Sequence, residues 1–186
     1  MGEMLELFRP DQYVRNISEI DLVVLRQSGY EALMLDLDNT ILPWASSQVP
    51  ESSRCWVESA KAMGMKMCII SNTHNPKRLD AVARELGISC VFRALKPRPH
   101  GFNNALKMLG CKAENCVVVG DQLLTDILGG NWACMHTILV EPMHPKEFIG
   151  TKLSRLLERW IMHRLRKVPA AGTNGCLCKS EKQDTK

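Results

Sequence analysis

The chain has 186 residues, of which 45% are hydrophobic and 24% are charged, and its formal net charge is +4. This composition is typical of one globular domain of ordinary size with a core and a tail. No apolar run approaches the roughly 20 residues that cross a bilayer, and the first residues lack the features of a secretory signal. Cys68 and Cys116 lie inside apolar runs, as buried thiols do in a reducing compartment, so we expect a cytoplasmic protein.

Apolar periodicity and turn residues predict helices that alternate with strands. The predicted helices cover residues 11–28, 50–63, 75–86, 101–109 and a short stretch that ends at residue 131. The predicted strands are one that ends at residue 36, followed by residues 65–70, 89–92, 115–119 and 136–140. This alternation predicts an α/β protein with a five-stranded parallel sheet covered by helices on both faces, a three-layer α/β/α Rossmann-like arrangement.

Two carboxylates follow the first of these strands. Asp36 and Asp38 stand two residues apart after the apolar run 32–35, so they leave the same face of the chain. Two adjacent negative charges at the end of a buried strand are costly unless a cation neutralises them, and a hard divalent ion is the usual choice. The alternative is an ordinary acidic loop in contact with solvent.

Polar residues also follow two other predicted strands. Ser71 and Asn72 end the second strand, and Asp121 ends the fourth. Ligands of open parallel sheets bind beyond the carboxyl ends of the strands, where these residues would meet Asp36 and Asp38. Ser71-Asn72 alone could be a turn and Asp121 alone a helix cap, but the combination favours a metal-dependent phosphate site.

Four segments carry a family resemblance: Asp-Leu-Asp-Asn-Thr (36–40), Ile-Ile-Ser-Asn-Thr (69–73), Leu-Lys-Pro-Arg-Pro (95–99) and Val-Val-Gly-Asp-Gln-Leu-Leu-Thr-Asp (118–126). In this order they resemble the four motifs of the haloacid dehalogenase (HAD) superfamily. The match is closest to the YqeG-type phosphatases, which include phosphatidylglycerophosphate phosphatases. The resemblance covers about residues 4–167 and implies Mg²⁺-dependent phosphatase activity in a domain of residues 1–168.

The resemblance also implies roles for individual residues. Asp36 is the nucleophile that forms an aspartyl-phosphate, and Asp38 is the general acid that then becomes the general base. Lys96 is the third catalytic residue and pairs with the phosphoryl oxygens and with Asp36, although it could also be a surface lysine. The residues expected to bind phosphate are Thr40, Ser71, Asn72 and Lys96.

The same resemblance places one Mg²⁺ ion at this edge. Its implied ligands are Asp36, the backbone carbonyl of Asp38, and Asp121. Asp126 is a supporting residue that orients the metal-bound waters or Lys96. The cation would offset the repulsion between the carboxylates and neutralise charge on the transferring phosphoryl group.

Other features bear on the substrate. Arg93 and Arg98 flank Lys96 and either meet a second anionic group or are simply solvated, and His74 could touch the leaving group. No long insertion follows the first or second motif, so we expect a minimal cap or none. An open site favours a large or surface-bound phosphorylated substrate.

The C-terminal part of the chain is basic. Residues 151–168 carry six basic residues and one acidic residue, with apolar residues at helical spacing. This predicted amphipathic helix could lie on an anionic membrane or pack against the core. Residues 169–186 are polar and are predicted to be disordered.

The expected activity is hydrolysis of phosphatidylglycerophosphate to phosphatidylglycerol in phospholipid biosynthesis, by a cytoplasmic protein that binds the membrane surface peripherally. The expected partners are a lipid headgroup phosphate and an anionic membrane, with no nucleic acid. One alternative is a phosphatase of a soluble metabolite, nucleotide or phosphoprotein. Another is a non-catalytic binding module, which is disfavoured because Asp36, Asp38, Lys96 and Asp121 are all present.

Overall fold

A computed structural model describes residues 5–143 and Ile161. In these residues six parallel strands form one sheet, in the order β1-β6-β5-β2-β3-β4. The strands are β1 (Gln12–Val14), β2 (Ala32–Leu35), β3 (Lys66–Ser71), β4 (Ser89–Phe92), β5 (Cys116–Gly120) and β6 (His136–Val140). The α-helices are α1 (Leu22–Gln27), α2 (Glu51–Ala62), α3 (Pro76–Leu86), α4 (Pro99–Leu109) and α5 (Leu128–Trp132). Short 3₁₀ turns cover Ile17–Glu19 and Ala113–Asn115, and a π-helical turn covers Leu123–Ile127.

The central strands are buried on both faces because helices cover both sides of the sheet. In β2, Leu33 and Leu35 belong to a core that includes side chains of α1, α2 and α3. Met34 points to the other face, where it belongs to a core with Phe102 and Ala105 of α4. The alternation of side chains along a strand therefore divides the apolar residues between two cores. The predicted three-layer α/β/α architecture is confirmed.

Local sequence explains where the helices begin and end. The side chain of Asn75 accepts a hydrogen bond from the backbone N–H of Arg78 at 3.1 Å, and Pro76 is the first residue of α3. Gly87 then ends the helix in the left-handed conformation with a φ of 63°, which glycine adopts without steric cost. These caps fix α3 directly after the end of β3.

The helix predicted over residues 11–28 is wrong in its first half. That region contains β1, a 3₁₀ turn and then the shorter helix α1. β1 pairs with β6, and the Asp11 carboxylate accepts a hydrogen bond from the Thr137 backbone N–H at 2.8 Å. Asp21 caps α1 by accepting from the N–H groups of Val23 and Val24. Pairing with the distant strand β6 therefore determines the extended conformation of residues 12–14. With β1 the described sheet has six strands instead of the predicted five.

Loops rather than a lid connect the elements at the carboxyl edge of the sheet. Within residues 5–143 no helix or strand element lies between Leu35 and Glu51, and residues 72–75 join β3 directly to α3. This part of the chain therefore has no cap domain over the carboxyl ends of the strands.

The predicted C-terminal helix and disordered tail lie outside the described residues, with the exception of Ile161. Ile161 is helical and buried, in a cluster with Leu123, Ile127 and Leu139. Among the residues that the structure describes, no helix is both long enough and apolar enough to span a bilayer.

Helix α4 offers a test of the packing on one face of the sheet. Phe102 is fully buried there, whereas Met108 in the same helix is 54% exposed. Phe102→Ala should lower the free energy of unfolding by about 3–5 kcal/mol, because it removes buried contacts and leaves a cavity. Met108→Ala should change it by less than about 0.5 kcal/mol. Urea denaturation of both variants measures the difference, and equal effects would contradict the described packing of α4.

Candidate active site

The carboxyl ends of β2, β3 and β5 meet at one edge of the sheet. Leu35 is in register with Ile69 of β3 and with Val119 of β5, so the residues that follow the three strands are brought together. Asp36, Asp38, Ser71 and Asn72 line one open cleft of about 770 Å³. This is the arrangement predicted from the positions of polar residues at the strand ends.

Three carboxylates are buried together beside this cleft. Oxygen atoms of Asp36, Asp121 and Asp126 all lie within 4.8 Å of one another. The ammonium group of Lys96, which is also buried, donates to Asp36 and to Asp126, the latter at 2.6 Å. Three carboxylates against one ammonium leave an excess of buried negative charge. An oxygen-only set of donors with that excess fits a hard divalent cation such as Mg²⁺.

The charges of this cluster shift the ionisation of its members. Burial raises the pKa of Asp36 to about 7, although Lys96 acts in the opposite direction. Burial lowers the pKa of Lys96, but Asp126 and Asp36 outweigh burial and hold this pKa above its ordinary value. Lys96 is therefore a permanent positive charge at neutral pH, and a bound cation would favour the ionised form of Asp36.

Lys96 reaches the cluster from a loop, residues 93–98, that is fastened to the end of β3. The Asn72 side chain accepts from the Lys96 backbone N–H at 2.9 Å and donates to the Lys96 carbonyl at 3.1 Å. The N–H of Ala94 donates to the Ser71 carbonyl at 3.0 Å. Asn72, expected to bind phosphate, thus also holds the backbone that carries the buried ammonium group.

Asp38 has a partner that the sequence analysis did not identify. Arg78 donates to both carboxylate oxygens of Asp38, at 2.7 and 3.1 Å, and its Nε donates to the Ser46 carbonyl at 2.6 Å. The backbone N–H of Ala45 also donates to Asp38 at 3.1 Å. Arg78 therefore fixes the Asp38 carboxylate and the loop that follows it.

A signal for Arg78 was present in the sequence. The residue follows the predicted cap Asn75 by three positions, and a cation in the first turn of a helix is unfavourable for the helix dipole. A basic residue at that position gains from an anionic partner nearby, but Lys77 stands in the same first turn, so the pattern alone singles out neither Arg78 nor its partner Asp38.

The other predicted phosphate-binding residues lie at different depths. Ser71 is buried at the cleft wall, where its hydroxyl oxygen accepts from the Thr73 N–H at 3.1 Å. Thr40 is fully buried and is not among the residues that line the cleft. Within the described residues its hydroxyl makes no hydrogen bond. The structure thus brings Ser71 and Asn72 to the cleft and places Lys96 beside it, through its bond to Asp36, whereas Thr40 lies behind the cleft.

The position of Asp126 depends on a π-helical turn and on a glycine. Leu123–Ile127 is π-helical, a local widening of the helix that often occurs at functional sites. The Asp126 carboxylate accepts from the Gln122 N–H at 3.1 Å and lies against Gly120. A Cβ atom at Gly120 would overlap this carboxyl group, so the close approach requires glycine.

Comparison with known proteins identifies the class to which this fold and site belong. Residues 16–133 match the family model of a haloacid dehalogenase-like hydrolase. The chain belongs to this family and is a phosphatase of the HAD superfamily.

Within the family the chain resembles the YqeG-type phosphatases. It is 38% identical to the probable phosphatase YqeG of Bacillus subtilis over 162 residues, which cover 87% of this chain and 94% of that protein. It is 29% identical to a phosphatidylglycerophosphate phosphatase 1 of Arabidopsis thaliana, chloroplastic/mitochondrial, over 86% of this chain. The aligned part spans only 50% of that plant protein.

A solved structure supports the fold. The cobalt-bound deoxy-D-mannose-octulosonate 8-phosphate phosphatase of Haemophilus influenzae matches with a TM-score of 0.52 and 15% sequence identity. The match covers 78% of this chain and 94% of that one. The two proteins share the overall α/β fold.

The contact between Gly120 and Asp126 can be tested by a double-mutant cycle. Gly120→Ala should lower the free energy of unfolding by about 1–3 kcal/mol, because the new methyl group displaces a buried carboxylate. In an Asp126→Ala background the same substitution should cost clearly less, since the overlapping group is gone. Thermal or urea unfolding of the four proteins measures the coupling. Additive effects would show that Gly120 does not constrain Asp126.

Proposed function

We propose that this phosphatase is Mg²⁺-dependent, acts through an aspartyl-phosphate and removes the terminal phosphate of phosphatidylglycerophosphate to give phosphatidylglycerol. The observation that carries the chemistry is the buried cluster of Asp36, Asp121, Asp126 and Lys96 at the wall of an open cleft. The lipid substrate is suggested by the similarity to the plant phosphatidylglycerophosphate phosphatase.

In this mechanism Asp36 supplies the nucleophilic oxygen. Its carboxylate forms a bond to phosphorus while the bond to the leaving alkoxide breaks, and Asp38 gives the alkoxide a proton. Asp38 then takes a proton from water, which attacks the phosphorus and restores Asp36 with release of inorganic phosphate. Lys96 keeps a positive charge beside the reacting carboxylate throughout.

Asp36 and Asp121 would hold Mg²⁺ with the Asp38 carbonyl, and Asp126 would support Lys96. When bound, the ion supplies positive charge that offsets carboxylate repulsion and stabilises the transferring phosphoryl group. Ser71 lines the cleft and would contribute its hydroxyl to the phosphoryl oxygens.

Access to the site supports a large substrate. The cleft is open, and Trp44, which is 45% exposed, is one of the residues that line it. A phosphate at the end of a lipid headgroup could enter such a cleft while the rest of the lipid stays outside. A peripheral position on the cytoplasmic membrane surface follows from this proposal.

The test is hydrolysis by the purified protein of phosphatidylglycerophosphate in mixed micelles, beside a panel of soluble phosphomonoesters. We expect the lipid to be the preferred substrate, EDTA to stop the reaction and Mg²⁺ to restore it. Asp36→Asn should lower turnover by more than about 10³-fold without loss of folding, because it removes the nucleophile. Preference for a soluble ester would replace the lipid substrate, and metal-independent hydrolysis would contradict the mechanism.

The role of Asp38 predicts a dependence on the leaving group. Asp38→Asn should slow hydrolysis of glycerol 3-phosphate by about 10²–10⁴-fold, because its alkoxide needs a proton. With p-nitrophenyl phosphate the same variant should release a burst of about one nitrophenolate per site, since only the second step still needs the base.

Arg78→Met should likewise slow hydrolysis of glycerol 3-phosphate more than the first step with p-nitrophenyl phosphate. The loss on glycerol 3-phosphate should be smaller, about tenfold, because Asp38 is still present to donate a proton although Arg78 no longer holds it in place. Rapid-mixing kinetics with both substrates measure this difference. An equal loss on both substrates would assign Arg78 to phosphate binding instead.

A further inference from the structure

A second cavity opens beside the catalytic cleft. Its volume is about 560 Å³, and Arg93, Leu95 and Arg98 are among the residues that line it. Asn72 and His74 line both cavities, so the two are adjacent and share part of their walls. A ligand with one phosphate in the catalytic cleft can therefore extend into the second cavity along the protein surface.

The loop of residues 93–98 alternates between buried and exposed positions. Ala94 and Lys96 are buried and fasten the loop to Ser71 and Asn72, as described above. Arg93 and Leu95 are exposed, and both have left-handed backbone conformations, with φ values of 48° and 55°. Such conformations are unfavourable for residues other than glycine and are enriched at functional sites. Here they turn two non-glycine residues outward beside the catalytic lysine.

The lining of the second cavity is cationic. It contains Arg93, Lys96 and Arg98 and no carboxylate, and Lys96 is already bonded to two buried aspartates. Arg93 lies over the ring of Phe92, 5.4 Å from its centroid. Among residues 5–143, no aspartate or glutamate forms an ion pair with either Arg93 or Arg98. Both guanidinium groups can therefore bind an anionic ligand.

We propose that Arg93 and Arg98 bind a second anionic group of the substrate, a phosphodiester, while the phosphomonoester lies against Asp36. This inference rests on the proposed phosphatase mechanism and names the class of substrate. Guanidinium groups present paired N–H donors that match phosphate oxygens. Leu95, which is 51% exposed between the two arginines, suits the apolar part of a glycerolipid beside that phosphodiester.

The test compares two soluble substrates. Glycerophosphoglycerophosphate carries one phosphodiester and one terminal monoester, whereas glycerol 3-phosphate carries the monoester alone. The wild-type protein should prefer the first in kcat/KM. In the double variant Arg93→Gln/Arg98→Gln the ratio of kcat/KM between the two substrates should fall by about five- to tenfold for each arginine removed. The fall should come mainly from a higher KM for the phosphodiester substrate, because the lost hydrogen bonds are charge-assisted but exposed. Its activity on glycerol 3-phosphate should stay within about twofold.

A matched control removes the same charge elsewhere. Lys107 and Lys112 are exposed and lie toward the opposite edge of the sheet, at the end of α4 and before β5. Lys107→Gln/Lys112→Gln should leave the substrate preference unchanged. If this control loses the preference equally, general charge attraction explains the effect and the proposed site is overturned.

A second arm identifies the source of the phosphodiester. Leu95→Ser should leave the soluble preference intact but lower hydrolysis of phosphatidylglycerophosphate in phosphatidylcholine vesicles by about threefold or more, because it removes an apolar contact. Unchanged vesicle activity would overturn the lipid part of the proposal.

Three outcomes separate this inference from the proposed function. Equal wild-type hydrolysis of both soluble substrates overturns the phosphodiester site while the phosphatase mechanism stands. An equal loss on both substrates in the double variant also overturns it, since the arginines would then act only through the loop that carries Lys96. No Mg²⁺-dependent hydrolysis of either ester by the wild-type protein overturns the proposed function itself.

Discussion

An excess of buried negative charge at one edge of the sheet is the constraint on which the rest of this molecule depends. Oxygen atoms of Asp36, Asp121 and Asp126 lie within 4.8 Å of one another, and the ammonium group of Lys96 bonds to Asp36 and Asp126. Buried carboxylates are tolerated only when they are paired, hydrogen-bonded or neutralised. Segments far apart in the chain must therefore meet at this point, and each brings either a charge or a group that holds one.

The scaffold holds these charged side chains in place by short-range contacts, and residues 5–143 contain no cap domain. The sheet register sets the ends of β2 and β5, and a π-helical turn returns Asp126 to Gly120. The amide of Asn72 fixes the loop that carries Lys96 through two hydrogen bonds. Because these contacts come from the sheet and the loops next to it, the outer side of the site stays open to solvent.

The sequence predicted this edge of the sheet well because its signals are local. Asp36, Ser71 and Asp121 each follow an apolar run, and the end of a buried strand decides where such residues point. The pairing of Lys96 with Asp36 followed from resemblance to a family rather than from spacing. Nothing in the pattern alone could show that this lysine is buried, since short loops have no period to read.

Other features needed the three-dimensional structure. The apolar spacing of residues 14–24 fits one helix, yet Val14 belongs to β1 and Val24, in α1, is 53% exposed. A three-residue edge strand carries too little pattern to outweigh helical spacing, and only its pairing with β6 defines it. The bond between Arg78 and Asp38 joins residues 40 positions apart, and a single sequence does not reveal such a contact.

The loop of residues 93–98 both positions the catalytic lysine and forms part of the surface beside the cleft, which restricts the sequence changes that it tolerates. Its inward residues are fastened to the end of β3, while its outward residues form the surface beside the cleft. An insertion or deletion here would shift Lys96 away from Asp36 and Asp126. Relatives with new specificities could therefore arise by exchange of outward side chains at constant loop length, with the chemistry preserved.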